Sequence, residues 1–180
     1  MRSLPSIVEE LAEAQTEFFR AANTFPSNQW SQKPSAEAWS AAEVVAHLVM
    51  VERRIVSDAE RITKKVPKPI PFLKRAHFPP WLVKSRVIRL KSPIPLDPQM
   101  VGGKEEMLGE LRATRERALA FLEATRSRDL SSYRWRHPFL GMLNTYEWFA
   151  MIAAHQVRHT KQLNEIQTRL PKVVEISQNR

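Results

Sequence analysis

Three histidines occupy positions at which a helix would pack leucine at lower cost. In MIAAHQVRHTKQL, Met151 to Leu163, His155 and His159 stand four residues apart. On a helix that spacing is about one turn, so two imidazoles can converge on one ion. Trp148, Met151, Ile152, Leu163 and Ile166 share their face by i, i+3, i+4 spacing, which turns both rings toward a core. His47 is placed in the same way beside Val44, Leu48 and Val51. Desolvating three unpartnered imidazoles would cost on the order of a few kcal/mol each. A shared cation satisfies all three, and a three-histidine set leaves coordination positions open, as catalytic metal sites do. A lone buried histidine is more often satisfied by a hydrogen bond, so the arrival of His47 on the same core is what favours a metal.

The remaining chemistry-bearing residues read differently. His77, among prolines and bases, and His137, ahead of Pro138, are expected to be loop residues rather than ligands. Glu43 and Glu52 flank His47 by about a turn on either side, where a helix-capping role suits Glu43 and a solvated rim suits Glu52. Arg158 and Lys161 point off the histidine face. No general base is identified, so the catalytic residues stay unassigned.

Composition narrows the classes. The chain has 180 residues and no cysteine, which removes disulfide frameworks, thiolate zinc sites and cysteine nucleophiles. A domain of this length buries its own core without a structural metal, so a metal here would serve chemistry. The N-terminus, MRSLPSIVEELAEAQ, has no apolar stretch of signal type, and no run reaches the roughly 18 apolar residues of a membrane span. A cytoplasmic protein is expected. The formal charge of +9 is local: Arg61 to Leu96 holds ten Lys and Arg and no acid, leaving the rest of the chain at −1. Such a segment suits either a solvated loop or contact with an anionic partner.

The elements that must carry these residues are helical. Periodicity predicts four helices and no sustained strand. The first runs from about Pro5 to Ala22, with Ile7, Leu11, Ala14, Phe18 and Ala21 inward. The second starts at Ser40, where Ser40 and Glu43 form a capping box, and buries Val44, Leu48, Val51, Ile55 and Ile62. The third follows Gly102-Gly103 to about Thr125, burying Met107, Leu111, Ala118 and Leu122, and the fourth runs from Asn144 to just before Pro171. Between the second and third, about residues 66–100, lie eight of the thirteen prolines, which exclude one long helix; Pro80 to Lys91 can form a short one. Trp30 and Trp39 are expected to plug one bundle end. The fold class is an all-α four-helix bundle, one domain over residues 1–180, with a long Pro-rich crossover between helices two and three.

The run W-S-x-x-E-V-V-x-H-L from Trp39 to Leu48, the HPFLGMLN stretch from His137 to Asn144, and H-x-x-x-H at His155 and His159 together resemble the DinB-like superfamily. The resemblance covers most of the chain. It implies a four-helix bundle holding a divalent metal, commonly nickel, zinc, iron or manganese, on three histidines, with water in the remaining positions. Carried over, the metal ligands are His47, His155 and His159. The Arg61 to Leu96 connection departs from the regular pattern of the family. Homodimers through helix faces are a further implication.

Characterised branches resemble thiol S-transferases that use bacillithiol, mycothiol or glutathione, a thiol-dependent isomerase, and metal-dependent hydrolases. The expected function is therefore a metal-dependent enzyme acting on a small-molecule substrate, such as a low-molecular-weight-thiol S-transferase or a hydrolase. The competing class is a binding module that uses residues 61–96, with Phe72, Phe78 and Trp81 among the bases, for nucleic acid or an anionic surface. Nucleic acid ranks well behind, because prolines break up any groove-reading helix there.

Overall fold

Four helices form where the periodicity places them: α1 (Leu4–Asn23), α2 (Ala41–Ile62), α3 (Lys104–Ala124) and α4 (Thr145–Arg169). A two-stranded antiparallel hairpin, β1 (Arg134–His137) and β2 (Gly141–Asn144), leads into α4. The computed structural model describes residues 3–67, 77–85 and 100–171. Most of the expected Pro-rich crossover and its basic run lie outside these residues, as does the second half of the short helix expected over Pro80 to Lys91. Its first half is a 3-10 segment, Pro80–Lys84.

Both helices that carry the histidines begin on reciprocal caps. The Ser40 hydroxyl accepts from the Glu43 amide at 3.2 Å, while the Glu43 carboxylate accepts from the Ser40 amide at 2.8 Å. Asn144 and Glu147 repeat the arrangement at 2.9 and 2.7 Å. Each box satisfies backbone N–H groups that a helix start leaves without intrahelical partners. It also fixes the phase of every residue that follows.

The core divides into two halves that give the helix directions. One half gathers Phe18, Ala22 and Phe25 from the end of α1, Val44 to Val49 from the start of α2, Leu108 and Leu111 from the start of α3, and Leu163 and Ile166 from the end of α4. The other takes Ile7 and Leu11, Ile55 and Ala59, Ala118 and Leu122, and Phe149 and Ile152 from the opposite ends. So α2 and α3 run in one direction and α1 and α4 in the other. Two ion pairs between neighbouring helices agree: Arg53–Glu110 and Glu60–Arg117 step together along α2 and α3. A parallel pair obliges the chain to return the length of the bundle, about 33 Å for a helix of this size, between α2 and α3.

Trp30 plugs one end as expected, buried with its indole N–H donating to the Gly102 carbonyl at 3.2 Å. The hairpin is new relative to the periodicity. Its strands are four residues long, too short for alternation to show, and Gly141 (φ 93°) turns the chain where a side chain would be strained. Among the described residues no helix is long and apolar enough to cross a membrane.

Candidate metal centre

His47 lies on α2 and His155 and His159 on α4, and the antiparallel packing of these two helices brings all three together. Counted from the start of α2 and the end of α4, His47 stands six residues in, His159 ten and His155 fourteen, offsets of about 6 and 12 Å that the stagger of the two helices absorbs. His47 Nε2 stands 3.3 Å from His155 Nε2, which stands 3.0 Å from His159 Nε2. One nitrogen from each ring falls within 4.8 Å of the others, so the set could hold a metal ion.

These separations fit a shared cation. Two nitrogens bound to one ion at about 2.1 Å, with angles between about 90° and 110°, lie about 3.0 to 3.4 Å apart. Imidazoles alone satisfy the cluster poorly, because a hydrogen on the central His155 Nε2 must be shared between two acceptors, and one on a single neighbour leaves two lone pairs facing each other. The tautomer of His159 agrees. Its Nδ1 lies 2.8 Å from Gln162 Oε1, an oxygen that only accepts, so the hydrogen sits on Nδ1 and the Nε2 lone pair is free.

Burial keeps the rings of His47 and His155 neutral and available as ligands. Burial pushes His47 down to about 4. It also holds His155 well below the usual histidine range, helped by the charges of His47, Arg158 and His137. His47 and His159 are 5% and 6% exposed, and His155 is partly buried. Trp39 packs against His47, its ring edge-on at 5.1 Å. His47 Nδ1 is buried and has no hydrogen-bond partner among the described residues.

A buried ionic network beside the cluster fixes how the helices meet. Glu52 is not a solvated rim residue. It is 3% exposed and takes both Arg115 Nε at 2.6 Å and Arg115 Nη2 at 3.0 Å. The buried stripe of α2 runs through Glu52, leaving Val51 only half-buried. Arg115 also donates to Gln156 Oε1 at 2.9 Å and to the Leu11 carbonyl at 2.5 Å, so one guanidinium touches all the other helices. Gln156 follows His155 directly, which ties the network to the ligand pair. A signal for Arg115 exists in the sequence: it fills the gap between Leu111 and Ala118 on the apolar stripe of α3.

The other candidates stay outside the cluster. Glu43 caps α2, as expected. His77 forms an isolated bridge with Gly141, and its Nε2 meets Glu147 Oε1 at 2.9 Å. Phe78 N–H donates to the Leu140 carbonyl, and Lys161 Nζ to the Lys84 carbonyl, so residues 77–85 lie as a strap along α4. Phe78 and Trp81 on this strap are exposed, while Phe72 lies outside the described residues. His137 ends β1, and the charge of Arg158 acts on His155.

Comparisons with known proteins agree with the fold. The chain is 28% identical over 162 residues to the uncharacterized protein YuaE of Bacillus subtilis (strain 168), covering 89% of this chain and 96% of that one. The crystal structure of TT2238, a four-helix bundle protein, superposes with a TM-score of 0.58 at 19% identity, over 91% of this chain and 99% of that one. The sequence model that describes the DinB superfamily matches residues 10–163, a span that includes all three clustered histidines, and to that superfamily the chain belongs.

Proposed function

We propose that the chain is a divalent-metal-dependent enzyme that acts on a small molecule, as a low-molecular-weight-thiol S-transferase or a hydrolase. The observation that carries this reading is the convergence of His47, His155 and His159 with Nε2 separations of 3.0 and 3.3 Å. These three side chains hold the ion, with nickel, zinc, iron and manganese all compatible with imidazole ligands. A divalent cation held there supplies Lewis acidity, which lowers the pKa of a water or thiol brought against it. Gln162 keeps the His159 lone pair turned inward, and Trp39 packs against His47. A homodimer and residence in the cytoplasm belong to the same reading.

The test is elemental analysis of untagged protein, followed by assays of glutathione or bacillithiol consumption with an electrophile and of ester hydrolysis. About one divalent ion per chain, with turnover that a chelator stops, supports the proposal. No ion after loading with nickel and zinc overturns it. The exposed Phe78 and Trp81 favour one second reading, a module for an anionic partner. A salt-dependent shift of labelled DNA at low ionic strength separates the two.

A further inference from the structure

Among the described residues six large apolar side chains are exposed, and four of them stand on two neighbouring segments. Phe78 (62% exposed), Trp81 (55%) and Leu82 (40%) belong to the strap, and Phe139 (46%) to the tip of the hairpin. The segments are joined: His77 bridges Gly141, and the Phe78 N–H donates to the Leu140 carbonyl at 2.8 Å. Phe139 precedes Leu140 directly, and Trp81 and Leu82 follow Phe78 by three and four residues, so all four lie within a short stretch of surface.

That surface is fastened down. His77 Nε2 meets Glu147 Oε1 at 2.9 Å at one end of the strap, and Lys161 Nζ donates to the Lys84 carbonyl at 3.1 Å at the other. Val83 of the strap and Leu140 of the hairpin pack on the core, so each segment already has its inward side filled. Leaving a large apolar side chain in water forgoes about 1.5–3 kcal/mol of burial. Four of them on one anchored surface mark an interaction site.

The charge around the patch has one sign. Residues 77–85 and 134–144 contain Lys84, Arg134 and Arg136 and no acid. On either side of the strap in sequence, residues 68–76 and 86–96 add six Lys and Arg and again no acid. Glu147, which touches both segments, is engaged by His77 and Arg134. A second copy of this chain placed face to face would set the bases against each other, which disfavours self-association. Apolar side chains among bases match the boundary of a bilayer instead, where apolar groups enter below the headgroups and cations stay among the phosphates.

We propose that the strap and the hairpin tip form a peripheral docking surface for bilayers that carry anionic phospholipid, with Phe78, Trp81, Leu82 and Phe139 entering the interface. This rests on the second reading above, whose anionic partner it narrows to lipid, and it makes no use of the metal.

The experiment is flotation of the whole chain with vesicles of phosphatidylcholine alone, and of equal parts phosphatidylcholine and phosphatidylglycerol, at low and high salt. The variants are the double substitution Phe78→Ser with Trp81→Ser, and Phe139→Ser on the other segment. They change exposed side chains only, and circular dichroism checks that they stay helical. Wild type is expected to float with the phosphatidylglycerol vesicles, to stay out of pure phosphatidylcholine, and to bind less as salt rises. The double variant is expected to bind about 10-fold more weakly or worse, and Phe139→Ser to fall in the same direction. If the double variant loses its helices, Phe139→Ser alone decides. Wild type that stays out of phosphatidylglycerol vesicles at low salt overturns the proposal, and so does a folded double variant that floats like wild type. A shift of labelled DNA without vesicle binding overturns the lipid assignment but leaves an anionic partner, whereas binding of neither removes both. Self-association that the double variant abolishes, again without vesicle binding, gives the surface to a second copy.

Discussion

Arg115 and Glu52 form a two-pronged ion pair at 2.6 and 3.0 Å with both side chains almost wholly out of water. Neither charge has solvent to fall back on, so each depends on the other. Arg115→Met is therefore expected to destabilise the fold by about 3–5 kcal/mol, because it leaves the Glu52 carboxylate buried and alone. Adding Glu52→Leu should recover most of that. Urea unfolding of both variants checks this, and a single variant as stable as wild type would show that the pair is dispensable.

Removal of a ligand should empty the centre without unfolding the bundle, since the core is large at both ends. His155→Ala and His159→Ala are expected to keep helical circular dichroism while metal content falls from about one ion per chain to near zero. Variants that unfold instead would make the histidines structural.

The Gln162 side-chain oxygen sets the tautomer of His159 at 2.8 Å. Gln162→Leu is expected to weaken metal affinity about 10- to 100-fold with little change in stability. Competition against a chromophoric chelator gives the number.

Acid should weaken the metal-free protein. His47 titrates near 4 when folded, against an ordinary value of 6.5, because burial disfavours its charged form. Between those two values the unfolded chain binds a proton that the native chain does not, so stability falls as pH drops through that window. The loss from His47 is about 2 kcal/mol by pH 5, and the lowering of His155 and His137 acts in the same direction. Urea midpoints of chelator-treated protein at pH 7.5 and pH 5 test the sign, and an equal or higher midpoint at pH 5 contradicts it.

What could be read in the sequence was local. Ser40 with Glu43, and Asn144 with Glu147, announce helix starts because both partners of each cap lie within one turn. The three histidines stand out because they interrupt apolar stripes whose period is fixed by the helix. Glu52 lies between Leu48 and Ile55 on the apolar stripe, as Arg115 lies between Leu111 and Ala118, but the partner that satisfies its charge is 63 residues away, so its burial does not follow from its neighbours in the chain. Helix direction was equally hidden, since spacing along α2 and α4 says nothing about which way each runs. The strands of the hairpin are too short to carry a period at all.

His47 and His155 are 108 residues apart in the chain, whereas His155 and His159 are neighbours on one turn. An ion shared by the three is then a reversible cross-link across most of the polypeptide. The unfolded chain can offer it only the local pair, so the affinity added by His47 appears as folding free energy. Free metal at 100 times its dissociation constant would raise native stability by about 2.7 kcal/mol. Metal supply would thus govern the lifetime of this protein in the cell as well as its chemistry.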